Sequence, residues 1–222
     1  MCGRMTLGKE DLGEVATALQ ASISAEFVAD WKPRHNVAPT QKHPILRLED
    51  DARWLRPARW GFRRPDDKTL LINARSETAK HLPAFREAYA ARRCLVPADG
   101  FYEWGARGAK TKGTPPTWFH APNGGLLLFA GLWQLGAEGE PVFTVLTTTL
   151  NRVVSTAHDR MPVIVAPSDV EEWLRAGGGR FFAPAPDRVL ATRLVSTRAN
   201  GTKNDDLACI APAPPPALTL DL

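Results

Sequence analysis

At 222 residues, with 44% hydrophobic and 23% charged residues, the chain is long enough to bury a core in one domain and has the balance of a globular protein. No apolar run reaches the roughly 18 residues that a spanning helix needs, and no apolar segment follows the N-terminus. Neither a membrane helix nor a signal peptide is expected, and the expected compartment is the cytoplasm. The formal net charge of +4 is mildly basic, by itself a weak pointer to a polyanion. Cys2, Cys94 and Cys209 are odd in number and far apart, so no disulfide framework, structural metal or cofactor is expected.

In chain order, Lys9 to Ala21 carries Leu12, Val15, Ala16 and Leu19 at helical spacing and reads as an amphipathic helix. His35 to Thr40 reads as an extended segment entering a turn. Strands are read over Ile45 to Leu48, Trp54 to Phe62, Leu70 to Ile72, Cys94 to Pro97, Leu126 to Trp133, Val142 to Thr149 and Val163 to Val165. Pro83 is expected to open a short helix through Ala91. Ser168-Asp169-Val170-Glu171 reads as a capping box leading into Trp173 and Leu174, with Gly177 to Gly179 as its stop. The balance predicts an α+β fold, a single compact domain over 1–210 with a mostly antiparallel, β-barrel-like core and a few flanking helices. From Ala211 the chain runs Ala-Pro-Ala-Pro-Pro-Pro, and 211–222 are expected to form a disordered tail.

Four stretches are too polar for plain core. In Met1-Cys2-Gly3-Arg4 the small second side chain favours removal of the initiator methionine. That would leave Cys2 with a free α-amine beside its thiol, both partly nucleophilic near neutral pH. Such an aminothiol closes on an aldehyde as a thiazolidine, or attacks an amide with its own amine as base. With Met1 retained, Cys2 is simply a small buried residue. Asn73-Ala74-Arg75-Ser76-Glu77 follows an apolar strand and reads either as an oxyanion or phosphate site or as a helix cap. In the run from Arg93 to Trp104, Glu103 lies among aromatics, where desolvation raises a carboxyl pKa and suits it to proton transfer. The alternative is a surface glutamate on an alternating strand. Trp104 is a base-stacking candidate or a core residue. In His158-Asp159-Arg160-Met161-Pro162, His158 is either an acid–base group in a polar loop or a structural histidine.

Together, Met1-Cys2-Gly3-Arg4, Asn36-Val37-Ala38-Pro39, the Asn73 to Glu77 stretch, the run from Cys94 to Trp104 and the His158 to Pro162 stretch closely resemble the SRAP family, the SOS-response-associated peptidase-like, abasic-site processing proteins. The motifs run in the family's order to about residue 206, where Val195-Ser196 and Lys203-Asn204-Asp205 also fit. The resemblance implies a compact α+β domain that binds single-stranded DNA containing abasic sites and crosslinks to them covalently through Cys2 after loss of Met1. It further implies Asn73 holding the abasic sugar or an adjacent phosphate, Glu103 moving protons and assisting Met1 removal, and His158 polarising the sugar oxygen. Arg4, Asn36, Pro39, Arg63, Arg64, Arg75, Trp104, Thr148, Arg160 and Met161 are the residues expected along the DNA. The protein is expected to act as a monomer, nucleoid-associated when on DNA, with lyase-type and self-processing peptidase activity in the SOS response. After Trp60-Gly61, where members usually carry proline and tryptophan, this chain reads Phe62-Arg63-Arg64-Pro65-Asp66-Asp67, so Arg63 or Arg64 would replace the aromatic surface. Two other readings stand beside this one: an N-terminal-cysteine peptidase or amidohydrolase acting on amides without DNA, and a non-enzymatic single-strand binder held by arginines and aromatics.

Overall fold

The computed structural model describes residues 2–64, 67–105 and 113–214. Among them are fourteen strands: β1 (Met5–Leu7), β2 (Arg34–Val37), β3 (Lys42–Glu49), β4 (Ala52–Trp60), β5 (Phe62–Arg64), β6 (Asp67–Leu71), β7 (Asn73–Arg75), β8 (Arg93–Ala98), β9 (Gly100–Glu103), β10 (Thr117–His120), β11 (Leu127–Leu135), β12 (Pro141–Thr149), β13 (Arg160–Pro162) and β14 (Ala191–Leu194). The α-helices are short: α1 (Leu12–Ala18), α2 (Ala25–Ala29), α3 (Ser76–Ala79), α4 (Arg86–Ala91) and α5 (Val170–Arg175). None is long and apolar enough to cross a membrane.

The larger sheet runs β11-β8-β3-β4-β12-β13, and β11 also pairs with β12, so five of its strands close into a ring. Pairing is antiparallel except where β12 meets β4 and β7. A second, wholly antiparallel sheet runs β14-β10-β9-β1-β2. The α+β reading with a mostly antiparallel core holds, as a sheet ring rather than a regular barrel.

Strand alternation sorts side chains between two apolar layers. In β8, Leu95 joins Leu46, Leu132 and Leu146 beneath α1, α4 and α5, whose Val15, Ala88 and Trp173 cover that face. Its neighbours Cys94 and Val96 point the other way, into a cluster with Phe129, Phe143 and Val145 that the second sheet closes with Met5, Val37, Phe101 and Phe119. Gly100 marks the close approach of β9 and β10, since a Cβ there would lie 2.3 Å from Trp118 Nε1 and 2.7 Å from Phe119 O. Gly61, at φ +119°, turns the chain from β4 into β5, a conformation that favours glycine.

Several local readings are corrected. Val163 to Val165 is not a strand: the strand is Arg160–Pro162, and Ile164 only bridges to Phe129. The Ser168 capping box does not form, because Pro167–Asp169 is a 3₁₀ turn and the Asp169 carboxylate faces Arg180 at 3.3 Å. Gly177, at φ +62°, does end that helix. The Pro83 helix begins at Arg86, since a turn comes first in which Phe85 N–H donates to Leu82 O. Asp11 caps α1, which is shorter than its apolar pattern. Residues 211–213 run beside β14, with Ser196 N–H donating to Ala211 O and Ala213 N–H to Leu194 O, a pairing the tail reading did not foresee. Met1 and the tail beyond 214 lie outside the described residues.

His43 shows how the buried face constrains charge. It is 1% exposed, its Nε2–H donates to Pro97 O at 2.7 Å, and Nδ1 has no hydrogen-bond partner among the described residues. Protonating Nδ1 would bury an uncompensated charge, so burial lowers the pKa from 6.5 to about 4. Between those values the unfolded chain binds the extra proton and the folded one does not, so stability is full above pH 6.5 and falls as pH drops toward 4. Urea titrations at pH 7 and pH 4.5 should show a loss of about 3 kcal/mol attributable to this residue. A His43→Gln variant with the same pH slope as wild type would refute that attribution.

Candidate active site

The chain's own beginning is built into the second sheet. Met5 pairs with Phe101 and Thr6 with Gly100, and Tyr102 N–H donates to Arg4 O at 3.0 Å. Continuing this antiparallel register sets Glu103, at the end of β9, opposite Gly3. Cys2 has no exposed surface, and its Sγ lies 3.8 Å from Arg4 O. Burial and then the Glu103 charge push the Cys2 thiol well up, so at neutral pH it carries its proton. Glu103 is only 4% exposed, which removes the surface-glutamate alternative.

Asn73 sits where β7 lies parallel to β12, with Asn73 opposite Val145. Its Nδ2 donates to Cys2 O at 2.8 Å. The amide is not a helix cap: α3 is preceded by Arg75, without a side-chain cap bond. Asn73 Oδ1 is buried and has no hydrogen-bond partner among the described residues, so an acceptor stands open beside Cys2.

His158 lies in the loop between the 3₁₀ turn Val154–Thr156 and β13. The flanking Ala157 and Met161 belong to the same apolar cluster as Cys2. The His158 pKa is lowered, chiefly by burial and against the pull of Asp159, so the ring is neutral at neutral pH. Arg160 N–H donates to its Nδ1 at 3.0 Å, and Asp159 Oδ1 lies 2.7 Å from the same nitrogen. A neutral ring cannot satisfy both, since the first needs a lone pair and the second a proton. The backbone donor is fixed by β13 while the Asp159 side chain is 79% exposed, so Arg160 N–H defines the neutral ring.

The remaining expected residues divide by exposure. Arg4 is 7% exposed, and its Nη1 donates to Asn36 Oδ1 at 2.7 Å and Ala199 O at 2.8 Å. Its guanidinium lies over Trp104, 5.3 Å from the ring centroid, and no carboxylate pairs with it among the described residues. Asn36 is fully buried and donates to Ala199 O, Gly201 O and Asn204 O. Met161 is also fully buried, and Thr148 donates its hydroxyl to Phe182 O. Trp104 is buried, with its indole N–H on Asn200. Pro39 is half-buried at the turn after β2, whereas Arg63 and Arg75 are exposed. Arg160 is mostly buried and engaged with Glu77 and Thr147. The Arg64 side chain lies outside the described residues. Sequence reasoning gave no role to Glu77, although it stands in the Asn73 motif, or to Asp205, which accepts from His35 N–H and Asn36 N–H. Among the described residues no group of three or more His, Cys, Asp or Glu converges as metal ligands would.

Residues 1–201 match the family model described as SOS response associated peptidase (SRAP). The chain belongs to the SRAP family. Among its relatives, the abasic site processing protein YoqW of Bacillus subtilis is 37% identical over 185 residues, covering 78% of this chain and 80% of that protein. The Escherichia coli abasic site processing protein YedK is 31% identical over 183 residues, covering 79% and 80%. In fold, this SRAP chain superposes on a crystal structure of a protein from Bacteroides thetaiotaomicron with a TM-score of 0.79 at 20% identity, covering 96% of this chain and 100% of that one.

The Asn36 side chain joins β2, Arg4 and the 199–204 segment of this SRAP protein. Asn36→Ala would leave three carbonyls and a guanidinium short of partners, so unfolding free energy should fall by about 2–4 kcal/mol in a urea titration. An unchanged midpoint with weakened single-strand binding would instead put Asn36 on a DNA face.

Proposed function

We propose that this SRAP protein processes abasic sites in single-stranded DNA by forming a thiazolidine crosslink through Cys2 once Met1 is removed. The observation that carries the reading is the second residue of the chain, fully buried, with its carbonyl on Asn73 and Glu103 on the adjoining strand. The names of its relatives as abasic site processing proteins support the same substrate.

Loss of Met1 frees the Cys2 amine. The amine nitrogen adds to the C1′ aldehyde of the ring-opened sugar, and the carbinolamine loses water to give an imine. Sγ then bonds to C1′ while its proton passes to the imine nitrogen, which closes the five-membered ring. The thiol of the unprocessed chain is held in its protonated form, so proton relay is needed at both steps, and Glu103 is the group placed to supply it. Asn73, with an open acceptor, is suited to hold a sugar hydroxyl. A neutral His158 presents an N–H to the sugar ring oxygen and favours ring opening. The substrate must be unpaired, because a residue buried at the chain's start cannot reach into a stacked duplex. Glu103 would also serve as the base that assists hydrolysis of the Met1–Cys2 bond.

Intact mass of the purified protein, alone and after mixing with an abasic-site oligonucleotide, tests this directly. The expected species are a chain lacking Met1 and a heat-stable adduct at protein plus oligonucleotide minus one water. Cys2→Ala should bind the strand yet give no adduct, and Glu103→Gln should slow adduct formation by about 10²–10⁴-fold. A Cys2→Ala adduct equal to wild type would end the mechanism.

A further inference from the structure

We propose that Glu77 is a positioning residue for this chemistry: through Arg160 it fixes the His158 ring with its proton on Nε2, and it ties the loop bearing His158 to the loop bearing Asn73. This rests on the proposed abasic-site reaction.

The connection is continuous in the geometry. Arg160 Nη2 meets the two Glu77 carboxylate oxygens at 3.1 and 2.8 Å and donates to Thr147 O at 2.6 Å, while its Nε reaches Thr147 Oγ1 at 3.2 Å. Glu77 lies in α3, four residues after Asn73, and Arg160 opens β13, two residues after His158. β7 and β13 both pair with β12, with Thr147 opposite Arg75 and Thr149 opposite Arg160. The ion pair therefore closes a bracket around β12 whose two ends carry Asn73 and His158.

The Arg160 backbone is the part that acts on the ring. Its N–H donates to His158 Nδ1 at 3.0 Å, so in the neutral imidazole the proton resides on Nε2, the nitrogen left to face a ligand. Asp159, whose Oδ1 is 2.7 Å from that same Nδ1, offers the competing arrangement with the proton on Nδ1 and a bare lone pair on Nε2. A bare Nε2 cannot donate to a sugar oxygen. The bracket held by Glu77 keeps the Arg160 N–H on the ring and excludes the competitor. A partly exposed ion pair adds little to stability, and the 44% exposure of the Glu77 side chain agrees with a geometric role. Glu77 remains ionised at neutral pH because the Arg160 hydrogen bond holds its carboxyl below the usual range.

Nitrogen-15 NMR of the His158 ring reads the tautomer directly, and single-turnover adduct formation reads the chemistry. Wild type should show a protonated Nε2 and an unprotonated Nδ1. Glu77→Gln should shift the ring toward protonated Nδ1 and slow adduct formation by about 10- to 100-fold, with the thermal midpoint and affinity for an intact single strand nearly unchanged. Glu77→Asp, which keeps the charge, should recover most of both effects. A wild-type tautomer in Glu77→Gln overturns the proposal, as does a wild-type rate. If wild type forms no adduct at all, the abasic-site reading fails, and the NMR comparison still judges the Glu77 bracket by itself.

Discussion

The constraint on which the rest depends is the burial of the chain's own beginning. Terminal residues ordinarily fray unless they are tied into a sheet. Here β1 is an interior strand with β2 on one side and β9 on the other, so the residues before it are carried into the interior. The tie is polar as well as apolar. Arg4 enters the protein without a carboxylate among the described residues, and its guanidinium is satisfied by Asn36 and Ala199 O and covered by Trp104. An unpaired buried charge is costly, which explains why so many backbone carbonyls and one aromatic face converge there. Burial lowers the Arg4 pKa, yet a guanidinium keeps its proton, so the site retains a fixed positive charge two residues from Cys2.

That arrangement dictates how protons must move. In the chain as it stands the Cys2 thiol is protonated, the His158 ring is neutral and Cys2 has no free amine, so the site is chemically quiet. Freeing the amine adds the missing nucleophile at the one point already surrounded by an acid–base group, an open amide acceptor and an imidazole. Reactivity is therefore coupled to processing of the N-terminus, and the same buried carboxylate can serve both events because it sits on the strand beside the bond that breaks. The geometry favours an aldehyde that enters the site over a folded polypeptide, since the nucleophile is enclosed within the protein.

Much of this was legible in the residues. Alternation announced β3, β4, β8, β11 and β12, because those strands pack different clusters on their two faces. The four polar stretches were legible because strongly polar side chains interrupt apolar runs. What the pattern did not carry was pairing: that β11 meets β12 to close a ring, or that residues 211–213 return to β14, depends on contacts distant in sequence. Short motifs also concealed their direction. Asn73 read equally as a helix cap until the position of Cys2 O was known, and Asn36, flanked by motif residues, points inward to three carbonyls. Ser168 failed as a cap because the preceding proline started a tighter turn.

The arginines show why net charge was a poor guide. A surplus of four positive charges could lie anywhere, yet most guanidiniums are tied to acids: Arg34 to Asp205, Arg47 and Arg56 to Glu49, Arg53 and Arg175 to Glu171, Arg180 to Glu172, and Arg198 to Asp206. Arg160 belongs to this engaged group. Arg59, Arg63 and Arg75 are exposed and have no ion pair among the described residues, and each lies beside a motif. Arg75 follows Asn73 on β7, and Arg63 lies on β5, just beyond the Trp60-Gly61 pair. On the proposed reading, a strand would meet these free guanidiniums, whose planar forks suit phosphate oxygens, while the engaged ones hold the frame. The substitution of arginine for the aromatic residues usual after Trp60-Gly61 then exchanges a stacking surface for a charged one, and makes attraction to the backbone more dependent on salt.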